Sequence, residues 1–333
     1  MKKKLVLIAV SLLSILLVIC LWRFITFSDQ PLIPTTVDIY YELLPGTSLT
    51  QVAKNFSNLG LLKHPIEFVV FARLEGKSQR LQAGEYLFPR GATNDQVLNM
   101  LTKGTVLHRK ITFIDGWTLE EMMQAISKNP YLKHTLNKQN QQAFFNHLND
   151  KHASLEGMFY PDTYAFAKGI SDKVILQKAY QKMQIILARE WANRDNNLPY
   201  KTAYQALIVA SLIEKETALE NEKPLISGVI AQRLMIGMPL QIDPTVIYGM
   251  GDKYQGNISK QDLQTDSPYN TYMRKGLPPT PIALPDEASI YAALHPILNG
   301  YLYFVAKGDG SHVFSKTLKE QNAAVRKYIL DKQ

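Results

Sequence analysis

The sequence predicts an α+β protein with an N-terminal transmembrane helix, a small α/β subdomain and a larger mixed α+β domain built around a buried helix. Three observations predict this fold class. The first thirty residues contain a long uncharged apolar stretch, residues 37–108 alternate strand-like runs with apolar-faced helices, and an apolar run near residue 210 ends in two glutamates. The composition, 46% hydrophobic and 20% charged over 333 residues, excludes extensive disorder. The predicted boundaries are an anchor over 1–27, a stalk over 28–36, the subdomain over 37–108 and the large domain over 109–333.

The N-terminal segment is predicted to anchor the chain in a membrane. Three lysines at positions 2–4 precede the uncharged residues 5–22, which as a helix extend roughly 27 Å, close to the thickness of a hydrocarbon core. The alternative is a cleaved signal peptide, but the stretch ends in Cys20-Leu21-Trp22-Arg23 without a small-residue cleavage site. The lysines favour a cytoplasmic N-terminus, so the rest of the chain is predicted to be exported.

The segment after the anchor is predicted to be a short stalk, because residues 28–36 (SDQPLIPTT) are mostly polar and contain two prolines. The only cysteine, Cys20, lies in the predicted anchor. The exported part therefore has neither a disulfide nor a thiol nucleophile.

The small subdomain reads as strand, helix, helix, strand. The pattern predicts strands over 37–44 and 84–88 and helices over 49–59 and 65–74, the first helix capped by Thr47 or Ser48. A related strand, turn and helix pattern begins again at residue 110. Units of this kind resemble LysM modules, and that resemblance implies binding of the N-acetylglucosamine-containing glycan of cell walls.

The charge balance narrows the classes of partner. A net charge of +8 suits an anionic partner such as nucleic acid, anionic lipid or an acidic wall polymer, although a generally basic surface would give the same value. No run of Lys and Arg follows residue 4 and no nucleic-acid-binding motif is present, so no nucleic acid is expected. The sequence has no HExxH motif and no Cys/His set, so neither a catalytic metal nor a cofactor is expected.

The strongest candidate for chemistry is the helix predicted over 202–220. At about 100° per residue, Glu214 shares a stripe with Leu207, Ala210 and Ser211, whereas Glu216 lies on the opposite side. A carboxyl in an apolar stripe is poorly hydrated, which raises its pKa toward the range that a general acid needs. The alternative is a helix end in solvent, with Glu216 paired to Lys223.

Three loops that follow this helix combine Tyr, Asn, Thr and Gln with proline-stiffened backbone. They begin at Gln241, Asp266 and Gly276. Such side chains bind sugars by ring stacking and by hydrogen bonds to hydroxyl groups. Each loop alone reads as an ordinary turn, but together they predict a polar cleft.

The same segments are similar to MltG, the YceG-like endolytic murein transglycosylases. The resemblance rests on ASLIEKET from Ala210, LQIDPTVIYG from Leu240, YNTY from Tyr269, GLPP from Gly276 and YFVA from Tyr303. It implies that Glu214, the first glutamate of this helix, is the catalyst. The expected substrate-binding residues are Ser211, Glu216, Gln241, Asp243, Thr245, Tyr248, Tyr269, Asn270 and Tyr272. Thr280 stands where the family commonly has Gly, and Ile242 where it has Thr, which affects only the expected details of sugar affinity.

The resemblance implies cleavage of the β-1,4 bond between N-acetylmuramic acid and N-acetylglucosamine within nascent peptidoglycan strands, which leaves 1,6-anhydro ends and ends strand elongation. It also implies a bacterial cytoplasmic membrane location, a periplasmic catalytic domain over 109–333 and peptidoglycan synthases as partners. Two alternatives remain. One is a muramidase that hydrolyses the same bond with Asp243, Glu156 or Asp162 as its second carboxylate. The other is a membrane-anchored scaffold that binds peptidoglycan without cutting it.

Overall fold

The computed structural model describes residues 2–137, 139–148 and 154–330. Over these ranges the chain is a mixed α+β protein with three two-stranded sheets, as the sequence predicted. It divides into two compact units. The first comprises Met1–Arg109 and Ala165–Gly169, and the second comprises Lys110–Tyr164 and Ile170–Gln333. The contribution of residues 165–169 to the first unit has no signal in the sequence.

The N-terminal helix, α1, spans Lys2–Asp29. Among the described residues it is the one helix that is long and apolar enough to cross a membrane. It continues through the start of the predicted stalk, which is a correction to the sequence reading. The next residues pack within the first unit. Leu32 and Ile33 are buried, and their backbone amides donate to the carbonyl of Ala92 at 2.9 and 3.1 Å, respectively. Two apolar side chains among polar neighbours were too short a pattern to predict this contact.

The first unit contains the predicted strand, helix, helix, strand order. Strand β1 (Ile39–Leu43) pairs antiparallel with β2 (Gly84–Phe88). Between them lie α2 (Leu49–Asn58) and α3 (Pro65–Leu74), and Ser48 caps α2 by accepting from the amide of Gln51. A further helix, α4 (Asn94–Lys103), was not predicted, although Thr93 and Gln96 form a capping box at its start.

The two faces of the β1–β2 sheet differ. Tyr41, Tyr86 and Phe88 are buried in an aromatic core with residues of α2 and α3. On the other face, Glu85 accepts hydrogen bonds from Tyr40 and Arg109 and forms an ion pair with Lys168. These partners hold the pKa of Glu85 below its usual value although burial opposes them, the bond from Tyr40 contributing most. The second face is therefore a charged surface.

The second unit is mostly helical. Its antiparallel strand pair is β5 (Tyr303–Ala306) with β6 (His312–Ser315). Strand β3 (His108–Thr112) pairs with β4 (Thr163–Ala167), and each of these two strands is divided between the units. The helices are α5 (Leu119–Lys128), α6 (Gln141–Leu148), α7 (Asp172–Ala192), α8 (Ala203–Glu216), α9 (Lys223–Met235), α10 (Asp243–Met250), α11 (Lys260–Gln264), α12 (Glu287–Leu294) and α13 (Leu318–Val325).

Helix α8 lies at the centre of this unit and packs against α7, α9, α10 and α12. Every residue from 206 to 213 is buried, so the helix is enclosed on all sides and not along a single stripe. Thr202 caps its start, and Thr217 ends it in an extended conformation (φ −148°, ψ 140°). The helix is thus four residues shorter than the predicted 202–220 at its C-terminal end, which places both Glu214 and Glu216 in its last turn.

Candidate active site

Glu214 is held in a buried polar cluster. Its Oε2 accepts from the hydroxyl of Ser289 at 2.6 Å, from the backbone amide of Asp286 at 3.2 Å and from Lys223 Nζ at 3.3 Å. Lys223 also binds Asp286 at 2.8 Å, and the side chains of Lys223 and Glu214 are only 4% and 9% exposed. Asp286 and Ser289 are brought together because Asp286 caps α12 by accepting from the Ser289 amide. One carboxylate oxygen of Glu214 therefore receives three donors from the protein.

Lys223 supplies the positive charge of this cluster and forms ion pairs with the carboxyl groups of Glu214 and Asp286. Burial raises the pKa of Glu214, while the Ser289 hydroxyl and Lys223 oppose the rise. Burial is the largest effect on Asp286 and would raise its pKa, but the hydrogen bonds from Lys223 and from the Ser289 amide, with the charge of Lys223, together hold that pKa below its usual value. The loop at Gly116 closes the cluster, since Lys215 Nζ donates to the Gly116 carbonyl at 3.2 Å. Glu214 therefore lies within a network of hydrogen bonds made by Lys223, Asp286 and Ser289.

Glu216, two residues further along, has a different environment. Its side chain is partly exposed, and no hydrogen bond or ion pair joins it to any residue in the described part of the chain. Burial of the carboxyl, reinforced by the nearby charge of Asp243, raises the pKa of Glu216 to about 8, against an opposing effect of Arg233. With this pKa the carboxyl is mostly protonated at neutral pH.

The surroundings of Glu216 come from the loop before α10. Tyr272 donates its hydroxyl to Asp243 Oδ1 at 2.5 Å. Arg233 fixes the loop backbone, since its Nη1 donates to the carbonyl of Leu240 at 2.6 Å and its Nε to that of Leu302. Gln241 is exposed and has a φ of 52°, in the left-handed region that non-glycine residues seldom adopt. Such strain at a loop beside an ionisable group is typical of functional sites.

A second polar group lies around Tyr248 and Tyr269, whose rings meet edge to face at 4.8 Å. Tyr248 donates to Glu156 Oε2 at 3.0 Å, and the Tyr269 hydroxyl lies 2.9 Å from Thr280 Oγ1. Glu156 is buried, also accepts from the amide of Leu119, and burial raises its pKa to about 7. Both tyrosines remain partly exposed and can contact a ligand.

Three of the predicted substrate-binding residues are buried and bond within the protein. Ser211 donates to the Ile208 carbonyl and accepts from the amide of Ile282. Thr245 is fully buried against Thr271, and the side-chain amide of Asn270 donates to three backbone carbonyls. These side chains support the loops from inside, and their contact with substrate stays a prediction.

Sequence reasoning missed several residues of the site. Lys223 was considered only as a partner of Glu216, and Asp286, Ser289 and Arg233 were given no role. The spacing of Asp286 and Ser289 before an apolar run is a helix-capping signal, which could have identified these two residues from the sequence. Among the described residues no group of three or more His, Cys, Asp or Glu is arranged to hold a metal ion.

The chain resembles known proteins over most of its length. It is 34% identical over 318 residues to the endolytic murein transglycosylase of Bacillus subtilis (strain 168), covering 90% of this chain and 86% of that protein. It is 25% identical to the endolytic murein transglycosylase of Streptococcus pneumoniae, covering 86% of this chain and 58% of that protein. A crystal structure of a yceG-like protein of Listeria monocytogenes matches with a TM-score of 0.55 and 27% identity, over 86% of this chain and 99% of that one.

A model of the YceG-like family matches residues 41–327, which include most of both units and every predicted site residue. The match agrees with the similarity on which the sequence prediction rested. This chain belongs to the YceG-like family.

Proposed function

We propose that this protein is a peptidoglycan lytic transglycosylase that cleaves the β-1,4 bond between N-acetylmuramic acid and N-acetylglucosamine inside nascent strands. The names of its relatives in Bacillus subtilis and Streptococcus pneumoniae support the reaction class. The observation that carries the proposal for this chain is Glu216, a partly exposed residue whose buried carboxyl has a pKa of about 8 and no hydrogen bond to any described residue, near the charge of Asp243.

The site contains two candidate proton donors, Glu214 and Glu216. A general acid must be protonated when substrate arrives and must be able to reach the leaving oxygen. The pKa of Glu216 meets the first requirement, and its partly exposed side chain supports the second. The pKa of Glu214 is also raised by burial, but one of its oxygens receives Ser289, Asp286 and Lys223. We assign the acid role to Glu216 and a positioning role to Glu214. The sequence-based prediction of Glu214 as catalyst is the alternative, and matched variants separate the two.

The reaction needs one carboxyl group in two roles. Glu216 donates its proton to the glycosidic oxygen while the bond from that oxygen to C1 of the muramyl residue breaks. The C6 hydroxyl of the same residue then attacks C1 and gives its proton to the Glu216 carboxylate. The product is a 1,6-anhydromuramyl end, the acid is regenerated, and no water is consumed.

Neighbouring side chains support this sequence. The carboxylate of Asp243, held by Tyr272, supplies negative charge near the positive charge that develops at C1. Gln241 is exposed at the same loop and can bind sugar hydroxyls, and Tyr248 and Tyr269 offer partly exposed rings for stacking. Positioning and charge stabilisation together lower the barrier without a second catalytic acid.

Asp243 also favours a second candidate, a hydrolytic muramidase. A hydrolase uses a second carboxylate to activate water or to form a glycosyl intermediate, and Asp243 is close enough to Glu216 to raise its pKa. The two reactions differ in their products. A transglycosylase leaves an anhydro end, whereas a hydrolase adds one water to each product.

Mass spectrometry of the products tests the function. Full-length protein in detergent is incubated with uncrosslinked nascent glycan strands and the fragments are weighed. We expect internal fragments that end in anhydromuramic acid. Products heavier by one water would establish the muramidase, and intact strands with retained binding would leave a scaffold that does not cut.

The membrane location is part of the proposal. Helix α1 is long and apolar enough to span a bilayer, and the lysines at positions 2–4 favour a cytoplasmic N-terminus. We assign the protein to the bacterial cytoplasmic membrane with the chain after α1 in the periplasm, where the LysM-like strands and helices of the first unit bind glycan and the enzyme meets peptidoglycan synthases. Protease protection in spheroplasts tests this orientation: added protease should digest residues beyond 30.

A further inference from the structure

An apolar groove lies in the first unit between α1 and α3. It has a volume of about 510 Å³, and its lining is apolar except for Arg23 and Glu67. Phe24 of α1 packs on Phe71 of α3, with ring centroids 5.2 Å apart, and forms the closed side of the groove. The open side is therefore lined by aliphatic side chains of both helices.

The groove begins at the level of the apolar span. Ile19 lines it and belongs to the uncharged residues 5–22, while Arg23 is the first charged residue after that stretch. One helical turn, about 5.4 Å, separates these two positions along α1. A groove that includes Ile19 thus extends into the depth at which lipid surrounds the helix.

The exposed face of α3 carries apolar side chains. Ile66, Val70 and Leu74 recur every four residues on one side of the helix and are 76%, 48% and 70% exposed. The opposite side of the helix is buried in the core of the unit. A contiguous exposed aliphatic stripe of this kind is typical of a surface that lies in contact with protein or lipid.

The charges around the stripe suit a membrane interface. Arg23 and Glu67 form an ion pair at 2.7 Å at the edge of the groove, so neither charge enters the apolar region alone. Lys63 and Arg73 are exposed near the two ends of α3, where cationic side chains can reach lipid phosphates.

We propose that α3 lies in the outer interface of the bilayer beside α1, with Ile66, Val70 and Leu74 in contact with lipid acyl chains that fill the groove. The inference rests on the membrane anchoring proposed above. Lipid is the occupant because the groove is continuous with the surface of α1 that faces the hydrocarbon, which a periplasmic protein partner cannot reach. The contact holds the glycan-binding unit flat against the membrane.

Site-specific fluorescence in vesicles tests this contact. Cys20, the only cysteine, is replaced by Ser, and single cysteines are introduced by Ile66→Cys, Val70→Cys and Leu74→Cys. The full-length protein is labelled with a nitrobenzoxadiazole probe and reconstituted in phosphatidylethanolamine–phosphatidylglycerol vesicles. Quenching by lipids carrying a doxyl group on the acyl chain is then compared with quenching by aqueous iodide.

Two control positions make the result interpretable. Leu87→Cys places the probe on an exposed apolar position that lies on the charged face of the β1–β2 sheet, since Leu87 and Glu85 are two residues apart on one strand. Leu16→Cys places it on an exposed position of the apolar span. The second control reports whether α1 itself is inserted.

We expect doxyl lipids to quench the three α3 probes at least about twofold more than the Leu87 probe, with the opposite order for iodide. Quenching of the Leu16 probe by lipid without quenching of the α3 probes would overturn the inference and leave the anchoring intact. No lipid quenching at Leu16 would overturn the anchoring and the inference together. Probes on α3 that are shielded from both quenchers would show a protein contact in place of lipid and would also overturn it.

Discussion

Glu214 and Glu216 are separated by a single residue in the last turn of α8, yet their carboxyl groups differ sharply in hydrogen bonding. Glu214 accepts three hydrogen bonds on one oxygen, including one from the buried Lys223, whereas Glu216 has no such bond within the described chain. The helix ends at Glu216 because Thr217 is extended. This difference is the basis for the positioning role that we propose for Glu214 and the acid role that we propose for Glu216.

The first prediction separates the two glutamates by matched substitutions. Glu216→Gln removes the proton donor and should lower the cutting rate at least about a hundredfold with glycan binding retained. Glu214→Gln should keep activity within about tenfold, because the side-chain amide can still bind Ser289. Both rates are measured on nascent strands by release of anhydro ends. Loss of activity in Glu214→Gln, with full activity in Glu216→Gln, would return the acid role to Glu214.

The second prediction concerns the pH dependence of the rate. Since the pKa of Glu216 is about 8 and the acid form is the active one, kcat should be constant near neutral pH and fall as pH rises through about 8. Asp243 contributes to this raised pKa by repulsion between the two negative charges. In Asp243→Asn the fall should therefore move to lower pH. A limb that stays in place in this variant would exclude the Asp243 charge as its cause.

Much of α8 could be predicted from its own residues, but the difference between its two glutamates could not. The apolar run and the Thr202 cap predict the helix because both signals are local. The partners that decide the environment of Glu214, Asp286 and Ser289, lie more than seventy residues later in the chain. Helical spacing alone placed Glu214 in an apolar stripe and Glu216 on the opposite side of the helix. It contains no information about the residues of other elements that pack there.

The third prediction tests the buried cation of the Glu214 cluster. Lys223→Met leaves Glu214 and Asp286 close together with no positive charge between them, so the free energy of unfolding should fall by about 3–5 kcal/mol at neutral pH. The loss should shrink as pH is lowered, because protonation relieves the repulsion between the carboxylates. Urea denaturation of the full chain in detergent measures both effects. Lys178→Met, at an exposed position on α7, is the control and should stay within about 0.5 kcal/mol of the wild type.

The first unit shows a similar division between local and distant signals. Alternating strands and the Ser48 cap identified the elements from β1 to β2 because each signal lies within its own element. Helix α4 also has a local signal, the Thr93 capping box, which the sequence reading overlooked. The packing of Leu32 and Ile33 depends on Ala92, about sixty residues away, so no local pattern could have corrected the predicted stalk.

The fourth prediction concerns the buried carboxyl of Glu156 and its contribution to the pH dependence of the free energy of unfolding. Burial raises the pKa of Glu156 from 4.5 to about 7, so the folded state favours the protonated form. The stability that this preference provides is fully present below pH 4.5 and is lost as pH rises to about 7, a change on the order of 3 kcal/mol. Glu156→Gln mimics the protonated acid and should reduce the pH dependence by that amount, while the slope due to Glu216, which extends to about pH 8, remains. Urea denaturation of both proteins from pH 4 to 8 measures the difference, and parallel curves would show that Glu156 is ionised in the folded protein throughout.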